Sequence, residues 1–185
     1  MREYQIIRSD RRTLALQIKD GALLVRAPRR VSERRIADFV VSHEAWIEKH
    51  LTRAERAADV VPLTEDALDA LKREAKQVIP ERVAYYADRL GVRYGRVTVR
   101  CQRTRWGSCS KTGNLNFNAL LMLTPPEVLD AIVVHELCHR KQMNHSRAFY
   151  AEVLSVCPAY HEHNAWLKQN GALLMARLPR KSETV

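Results

Sequence analysis

The fold is decided by the stretch Val133-Val134-His135-Glu136-Leu137-Cys138-His139, which has the pattern H-E-x-x-H. On a helix, His135 and His139 lie one turn apart on the same face, about 5.4 Å from each other. Two imidazoles at that spacing can reach one metal ion at about 2.0–2.1 Å. Glu136 lies about 100° further round the helix, where it can take a proton from a metal-bound water. The pattern therefore predicts a metal centre with a general base beside it.

The residues before the motif favour a helix. Thr124-Pro125-Pro126-Glu127 has the pattern of a capping box, with prolines in the first turn, where their missing N–H groups cost nothing. Apolar residues then follow at helical spacing, namely Val128, Leu129, Ile132 and Val133. The motif is therefore expected in the second half of a helix.

A third metal ligand is needed, and His145 is the first candidate. It follows His139 by six residues, so only a short loop has to return to the metal, at a small entropic cost. Asn144 can end the helix in a left-handed conformation, and Ser146 can cap the next helix. Three protein ligands leave a fourth position open for water, as in a catalytic zinc site with one Zn²⁺ per chain. The rival third ligands are Glu152, His161, Glu162 and His163.

Composition limits the class of protein. The chain has 185 residues, a net charge of +10 and no run of 18 apolar residues, so no membrane span is expected. The first residues form no apolar signal segment, which favours a cytoplasmic protein. The four cysteines contain no C-x-x-C pair and are predicted to be reduced thiols rather than a second zinc site.

The sequence predicts three regions along the chain. Residues 1–60 form a hairpin-plus-helix subregion, with a hairpin turn at Asp20-Gly21 and a helix from Ser32 to about Ala57. Residues 61–175 form a catalytic core, expected to make one compact unit with the first region. Residues 176–185 form a flexible tail.

The core is predicted to be α+β, with a small mixed β-sheet packed on helices. A long helix starts near Thr64, ends before Gly91, and should be kinked or divided at Pro80. The segment Leu115-Asn116-Phe117-Asn118 alternates apolar and polar residues, which predicts a strand at a sheet edge. A last helix over residues 159–170 should end at Asn170-Gly171.

Candidate substrate contacts lie just before the helix that is expected to carry the H-E-x-x-H motif. Arg105 belongs to a loop of unusual composition and could stabilise negative charge that develops during catalysis. Gly107 in the same loop suggests a tight turn. An edge strand beside the metal could pair with an extended peptide. The candidate substrate-binding residues are Arg103, Trp106, Ser108, Asn116 and Asn118.

A stretch rich in basic residues precedes the helix that is expected to carry the H-E-x-x-H motif. From Arg89 to Lys111, both included, the chain has seven basic residues, and no acidic residue occurs between Asp88 and Glu127. A positive field of this kind favours an anionic substrate or a polyanion. It leaves two alternatives open: cleavage of a phosphoanhydride at the same site, and a nucleic-acid-binding module whose zinc is structural.

Several motifs together resemble the YgjP-like family of bacterial zinc metallopeptidase-like proteins, which are related to the SprT-like zincins. They are Arg105-Trp106-Gly107-Ser108-Cys109, the H-E-x-x-H stretch, Asn144-His145-Ser146 and Pro158-Ala159-Tyr160. The spacing of the histidines also equals that of metzincins, but Gln142 stands where metzincins carry glycine.

The resemblance implies a zincin-like fold, with zinc on His135, His139 and His145 and Glu136 as general base. The leading expectation is a zinc-dependent hydrolase of peptidase type acting through a zinc-activated water. The family also includes proteins described as pyrophosphatases acting on UTP, so nucleoside triphosphate hydrolysis is the alternative enzyme activity.

Overall fold

The structure is a computed structural model, and it describes residues 3–19 and 21–179. The chain falls into two compact units, one up to Val60 and one from Val61. Within the described ranges, no helix combines the length and the apolar character needed to cross a membrane. The predicted α+β class is confirmed.

The first unit contains a three-stranded sheet. Its strands are β1 (Gln5–Ser9), β2 (Ala15–Lys19) and β3 (Ala22–Pro28), in the order β1-β3-β2. β2 and β3 pair antiparallel, which confirms the predicted hairpin, and β1 adds to β3 in parallel. Asp20 of the predicted turn lies outside the described residues, and Gly21 has a φ of 77°.

Two helices complete the first unit. They are α1 (Glu33–Val41) and α2 (Glu44–Ala58). Ser32 caps α1 by accepting a hydrogen bond from the N–H of Arg35. α2 packs on β2 and β3. The buried core of this unit consists of Leu23, Val25, Ala27, Ile36, Val40 and Ile47.

The prediction of one helix from Ser32 to Ala57 was wrong, because the helix breaks at Ser42 and His43. The Ser42 hydroxyl donates to the carbonyl of Phe39 at 2.9 Å, and Nδ1 of His43 lies 2.8 Å from the same oxygen. Side chains that compete for backbone carbonyls in this way offer the chain an alternative to the helix.

The second unit begins with the long helix α3 (Glu65–Leu90). The Thr64 side chain caps its first turn, and Gly91 ends it in the left-handed conformation with a φ of 64°. Pro80 lies inside α3 but does not divide it. Ile79 and Val83 on either side of this proline are fully buried, so tertiary packing supports the helix there.

A small mixed sheet follows. Its strands are β4 (Val97–Arg100), β5 (Gly107–Cys109) and β6 (Leu115–Asn118), in the order β4-β6-β5. β6 pairs in parallel with β4 and antiparallel with β5. The prediction of an edge strand at residues 115–118 was therefore wrong, because β6 lies in the centre and β5 forms one of the edges.

The polar residues of β6 mark internal hydrogen bonds rather than solvent. Asn118 is only 2% exposed, and its amide donates to the carbonyls of Gln102 and Arg105 at 2.6 and 2.9 Å. Asn116 donates to the hydroxyl of Ser108 in the neighbouring strand at 3.4 Å. Buried amides that are fully bonded produce the same polar alternation as an exposed strand.

The H-E-x-x-H motif lies at the end of α4 (Pro126–Cys138), which follows a short 3₁₀ helix at Ala119–Leu123. The predicted capping box was wrong, since no side chain caps the first turn of α4. The Thr124 hydroxyl instead donates to the carbonyl of Leu121 at 2.7 Å. The threonine thus closes the preceding 3₁₀ helix, and prolines start the next one.

Two further helices end the described chain, α5 (Arg147–Val156) and α6 (Tyr160–Ala176). Ser146 caps α5 as predicted. The predicted end of the last helix at Gly171 was wrong, because α6 continues through it. A methyl group at Gly171 would lie 3.1 Å from Cζ2 of Trp106, so this glycine admits an indole ring against the helix instead of ending it.

The predicted tail from residue 176 lies partly outside the described residues, which end at 179. Its first residues are packed. The carbonyl of Arg177 accepts from the N–H of Leu63 at 2.8 Å, and Leu178 is buried against Leu71 and Leu120. Apolar burial therefore holds the chain as far as Leu178.

A polar cluster joins α3 to α4. Nε of Arg82 donates to Asp130 at 2.6 Å, and the hydroxyl of Tyr86 donates to the other carboxylate oxygen at 2.9 Å. The Asp130 side chain is 13% exposed. Burial, followed by the neighbouring carboxylate, raises the pKa of Tyr86 to about 12, so the phenol stays neutral and can donate.

Removing this carboxylate should destabilise the second unit. We expect Asp130→Ala to lower the free energy of unfolding by about 2 kcal/mol, because two half-buried donors lose a charged acceptor. Urea unfolding followed by circular dichroism measures it. Asp69→Ala is the matched control, since it removes an exposed aspartate that pairs with Lys72 on the surface. Equal effects of the two substitutions would contradict a structural role for the cluster.

Candidate metal centre

The last turn of α4 carries the first two histidines. His135 and Glu136 belong to the helix, and His139 is its C-terminal cap residue with helical dihedral angles. The ring centroids of His135 and His139 are 5.0 Å apart. The helical spacing of the motif therefore brings both rings to one side of the helix end.

His145 completes the group from the segment between α4 and α5. Its Nε2 lies 3.1 Å from Nε2 of His135, and the ligating atoms of the three histidines all lie within 4.8 Å of one another. Two nitrogens bound tetrahedrally at about 2.0–2.1 Å would be about 3.3 Å apart. Among the described residues, the rival ligands Glu152, His161, Glu162 and His163 do not join this group.

Hydrogen bonds fix the orientation of two of the rings. Nδ1 of His135 lies 2.8 Å from the hydroxyl of Tyr160, and Nδ1 of His139 lies 3.1 Å from the carbonyl of Gln142. Both bonds use Nδ1 and leave Nε2 for a metal, which is the usual arrangement around a metal-binding histidine. Phe149 is fully buried, with its ring centroid 4.9 Å from those of His135 and His145. The donor set and its supports fit a zinc ion.

Burial keeps the rings in the form that binds metals. It lowers the pKa of His135 to about 4, with further contributions from the nearby His139 and His145. Burial also lowers the pKa of His139. Neutral imidazole is the ligand form, so the centre needs little proton release when a metal binds at neutral pH.

The thiol inside the motif is not a ligand. Cys138 is fully buried, and all four cysteines are free, as predicted. Burial raises the pKa of Cys138 to about 12. A protonated, buried thiol behaves as a small apolar side chain.

Glu136 lies under the sheet edge. It is 6% exposed, and burial raises its pKa to about 8. A methyl group at Gly107 of β5 would lie 2.5 Å from Oε1 and 2.7 Å from Cγ of Glu136. Gly107 is not among the glycines with positive φ, so the tight turn suggested by the sequence is not its role. It allows the backbone of β5 to approach the glutamate directly.

On the outer side of β5, the backbone groups have no hydrogen-bond partner among the described residues. The N–H of Asn118 donates to the carbonyl of Trp106, and the N–H of Ser110 donates to the carbonyl of Asn114. Antiparallel strands alternate the direction of these groups. The N–H and C=O groups of Gly107 and Cys109 therefore point away from β6, at the edge next to Glu136.

The other predicted substrate residues have mixed surroundings. Arg105 is exposed, and its contact with Asn118 is made by its carbonyl. The guanidinium of Arg103 donates to the carbonyls of Leu178 and Pro179. Trp106 packs against the core beside α6. Within the described residues, the side chains of these three residues make no hydrogen bond to the histidine group.

Sequence reasoning did not identify Tyr160 as a support of the centre. It lies 25 residues after His135, on a different helix, and no local spacing links the two. Phe149 likewise lies on another helix, α5. Both belong to the centre because α5 and α6 pack against α4, which is a tertiary contact.

Tyr160 should strengthen metal binding through His135. We expect Tyr160→Phe to weaken zinc binding by about 10- to 100-fold, because the Nδ1–H of His135 loses its acceptor. Competition with a chelator of known affinity measures the dissociation constant. Tyr86→Phe is the control, since it removes a hydroxyl that contacts Asp130 instead. An unchanged zinc affinity in Tyr160→Phe would refute this role.

The arrangement of these side chains is typical of one class of protein. Three converging histidines at the end of a helix, one of them followed in sequence by a buried glutamate, are the arrangement expected of a metal-dependent hydrolase. The chain belongs to the YgjP-like family, because the family model described as "YgjP-like, metallopeptidase domain" matches residues 12–65 and 63–170. This match confirms the resemblance, and the chain is a metallohydrolase of that family.

Two solved structures are similar to part of the chain. The metallopeptidase zymogen abylysin of Pyrococcus abyssi is 23% identical, with a TM-score of 0.45, over 50% of this chain and 94% of that one. The zymogen jannalysin of Methanocaldococcus jannaschii is 22% identical, with a TM-score of 0.41, over 49% and 96%. No curated protein sequence matches the chain significantly.

Proposed function

We propose that the chain is a zinc-dependent peptidase in which His135, His139 and His145 hold the zinc and Glu136 is the general base. The observation that carries this proposal is the convergence of one ring nitrogen from each of the three histidines within 4.8 Å, with the buried Glu136 next to His135 in the sequence. A purely structural zinc site is closed by four protein ligands and needs no such carboxylate.

The residues of the chain divide the chemistry between them. Zinc, when bound, would acidify a water and polarise the carbonyl under attack. The ionised form of Glu136, which a pKa of about 8 makes available near and above neutral pH, accepts the proton of the attacking water and passes it to the leaving nitrogen. Tyr160 and the carbonyl of Gln142 hold two of the histidine rings in place while charge changes around them.

The edge of β5 favours a peptide as substrate. The outward N–H and C=O groups of Gly107 and Cys109 can pair with an extended peptide backbone. Such pairing would place a peptide bond along the edge that contacts Glu136. The edge strand beside Glu136 is therefore β5, and not residues 115–118 as the sequence predicts.

The nucleotide alternative gains no comparable support. Arg103, a candidate substrate-binding residue of the basic stretch, uses its guanidinium to bind backbone carbonyls near the end of the described chain. Arg140 is another basic residue, and its guanidinium donates to the carbonyls of Arg93 and Lys111. Both guanidinium groups therefore stabilise the fold by binding backbone carbonyls.

A paired hydrolysis assay tests the proposal. Zinc-loaded protein is incubated with unfolded casein plus random octapeptides in one reaction, and with UTP in the other. We expect peptide cleavage that is lost on chelation, restored by zinc, and absent from His139→Ala. Release of phosphate or pyrophosphate from UTP without peptide cleavage would overturn the proposal, and so would the absence of cleavage in both reactions.

A further inference from the structure

The second sheet has another open edge, at β4. The N–H of Leu115 donates to the carbonyl of Arg96 at 2.9 Å, so the backbone groups of Arg96 point toward β6. Along a strand, the N–H and C=O groups of successive residues point to alternate sides. The N–H and C=O groups of Val97 and Val99 therefore point away from β6. This edge is on the side of β6 opposite to β5 and so is separate from the edge that contacts Glu136.

A groove runs between this edge and α3. Its volume is about 510 Å³. Arg96, Thr98 and Arg100 alternate with the two valines and so share one face of the strand. The lining residues are Lys76, Pro80, Arg96, Val97, Thr98, Val99 and Arg100.

The groove is basic and lacks acidic residues. Lys76, Arg96 and Arg100 are exposed, and none of the residues that line the groove is acidic. In the part of the chain that the structure describes, none of these three cations forms an ion pair. An unpaired row of cations beside open backbone groups is complementary to a chain that carries both carboxylates and peptide groups.

We propose that the β4 edge binds an extended acidic peptide segment, which adds to the sheet as a further strand. The backbone of the segment pairs with Val97 and Val99, and its carboxylates face Lys76, Arg96 and Arg100. A single-stranded nucleic acid fits less well, because the groove has no aromatic side chain on which bases could stack. This binding uses no metal chemistry, so it does not depend on the proposed function.

Fluorescence anisotropy tests the proposal with defined probes. The zinc-loaded Glu136→Gln chain is titrated into a fluorescein-labelled decapeptide of alternating glutamate and threonine. We expect saturable binding that weakens as NaCl rises, because exposed charges are screened. The alternating lysine–threonine decapeptide should not bind. A decapeptide of the acidic sequence with alternate N-methylated residues should bind about tenfold more weakly or worse, because it cannot form the backbone ladder.

A charge reversal locates the site. We expect the triple variant Lys76→Glu, Arg96→Glu, Arg100→Glu to raise the dissociation constant about tenfold or more. The control variant Arg34→Glu, Arg35→Glu, Lys49→Glu makes the same change of charge at exposed residues of the first unit and should leave binding unchanged. Circular dichroism and thermal unfolding check that both variants fold.

Three outcomes would overturn the proposal. The first is equal weakening by both triple variants, which would show a general charge effect. The second is equal binding of the N-methylated peptide, which would exclude strand addition. The third is binding of a ten-residue oligothymidylate at least as tight as that of the acidic peptide, which would make the groove a nucleic-acid site.

Discussion

Glu136→Gln should abolish peptide hydrolysis and leave zinc bound. The amide cannot accept the proton of the attacking water, whereas the three histidines and their hydrogen bonds are unchanged. Loss of a positioned general base lowers the rate by about 100- to 10,000-fold. The measurements are kcat/KM on a cleaved peptide and the zinc content of the purified protein.

The matched control is Glu152→Gln. This glutamate lies on α5 and pairs with Lys141 at 2.8 Å, outside the histidine group. We expect it to keep both activity and zinc. Full activity in Glu136→Gln would refute the assigned base. Loss of zinc together with activity would mean that the glutamate helps to hold the metal.

Gly107→Ala should inactivate the enzyme through the position of Glu136. The added methyl group would lie 2.5 Å from Oε1 and 2.9 Å from Cδ, so the carboxylate has to move. A displacement of about 1 Å in a reacting group can lower the rate about 100-fold. We also expect the free energy of unfolding to fall by about 1–3 kcal/mol, because the site is overpacked. Activity, zinc content and urea unfolding are measured on the same preparation.

Gly95→Ala controls for overpacking alone. A methyl group there would lie 2.5 Å from Oδ1 of Asn114, an equally short contact away from the glutamate. We expect lower stability but normal activity for each folded molecule. If Gly107→Ala retained normal kcat/KM, the close approach of β5 would have no role in placing the base.

The convergence of the histidines could be predicted because it depends on short spacings. His135 and His139 are one helical turn apart, and His145 returns through a six-residue step, so each contact follows from local geometry. The cap of α5 at Ser146 is equally local. Interactions of this range leave a signature in the sequence itself.

The contact between Gly107 and Glu136 could not be predicted in the same way. The two residues are 29 positions apart, and their approach depends on β5 pairing with β6 and packing on α4. Sequence patterns record that a glycine is present but do not show whether a turn or a neighbour requires it. Gly171 is a second example, since Trp106 rather than a helix end accounts for it.

The buried Asn118 shows a similar limit. A polar–apolar alternation is the pattern of a half-exposed strand, yet Asn118 is buried and bonded to two carbonyls. The polar residue satisfies backbone groups of the loop before β5 and has no need of water. The central position of β6 therefore cannot be predicted without knowing which strands pair with it.

The central position of β6 also bears on self-association. A three-stranded sheet with two open edges offers two templates on which another copy of the chain could pair and aggregate. β5 limits the hazard by its length of only three residues. β4 limits it by charge, because a second β4 would bring Arg96 and Arg100 against identical cations. The like charges of this edge therefore disfavour pairing between two copies at β4, and neutral residues at these two positions would remove that repulsion.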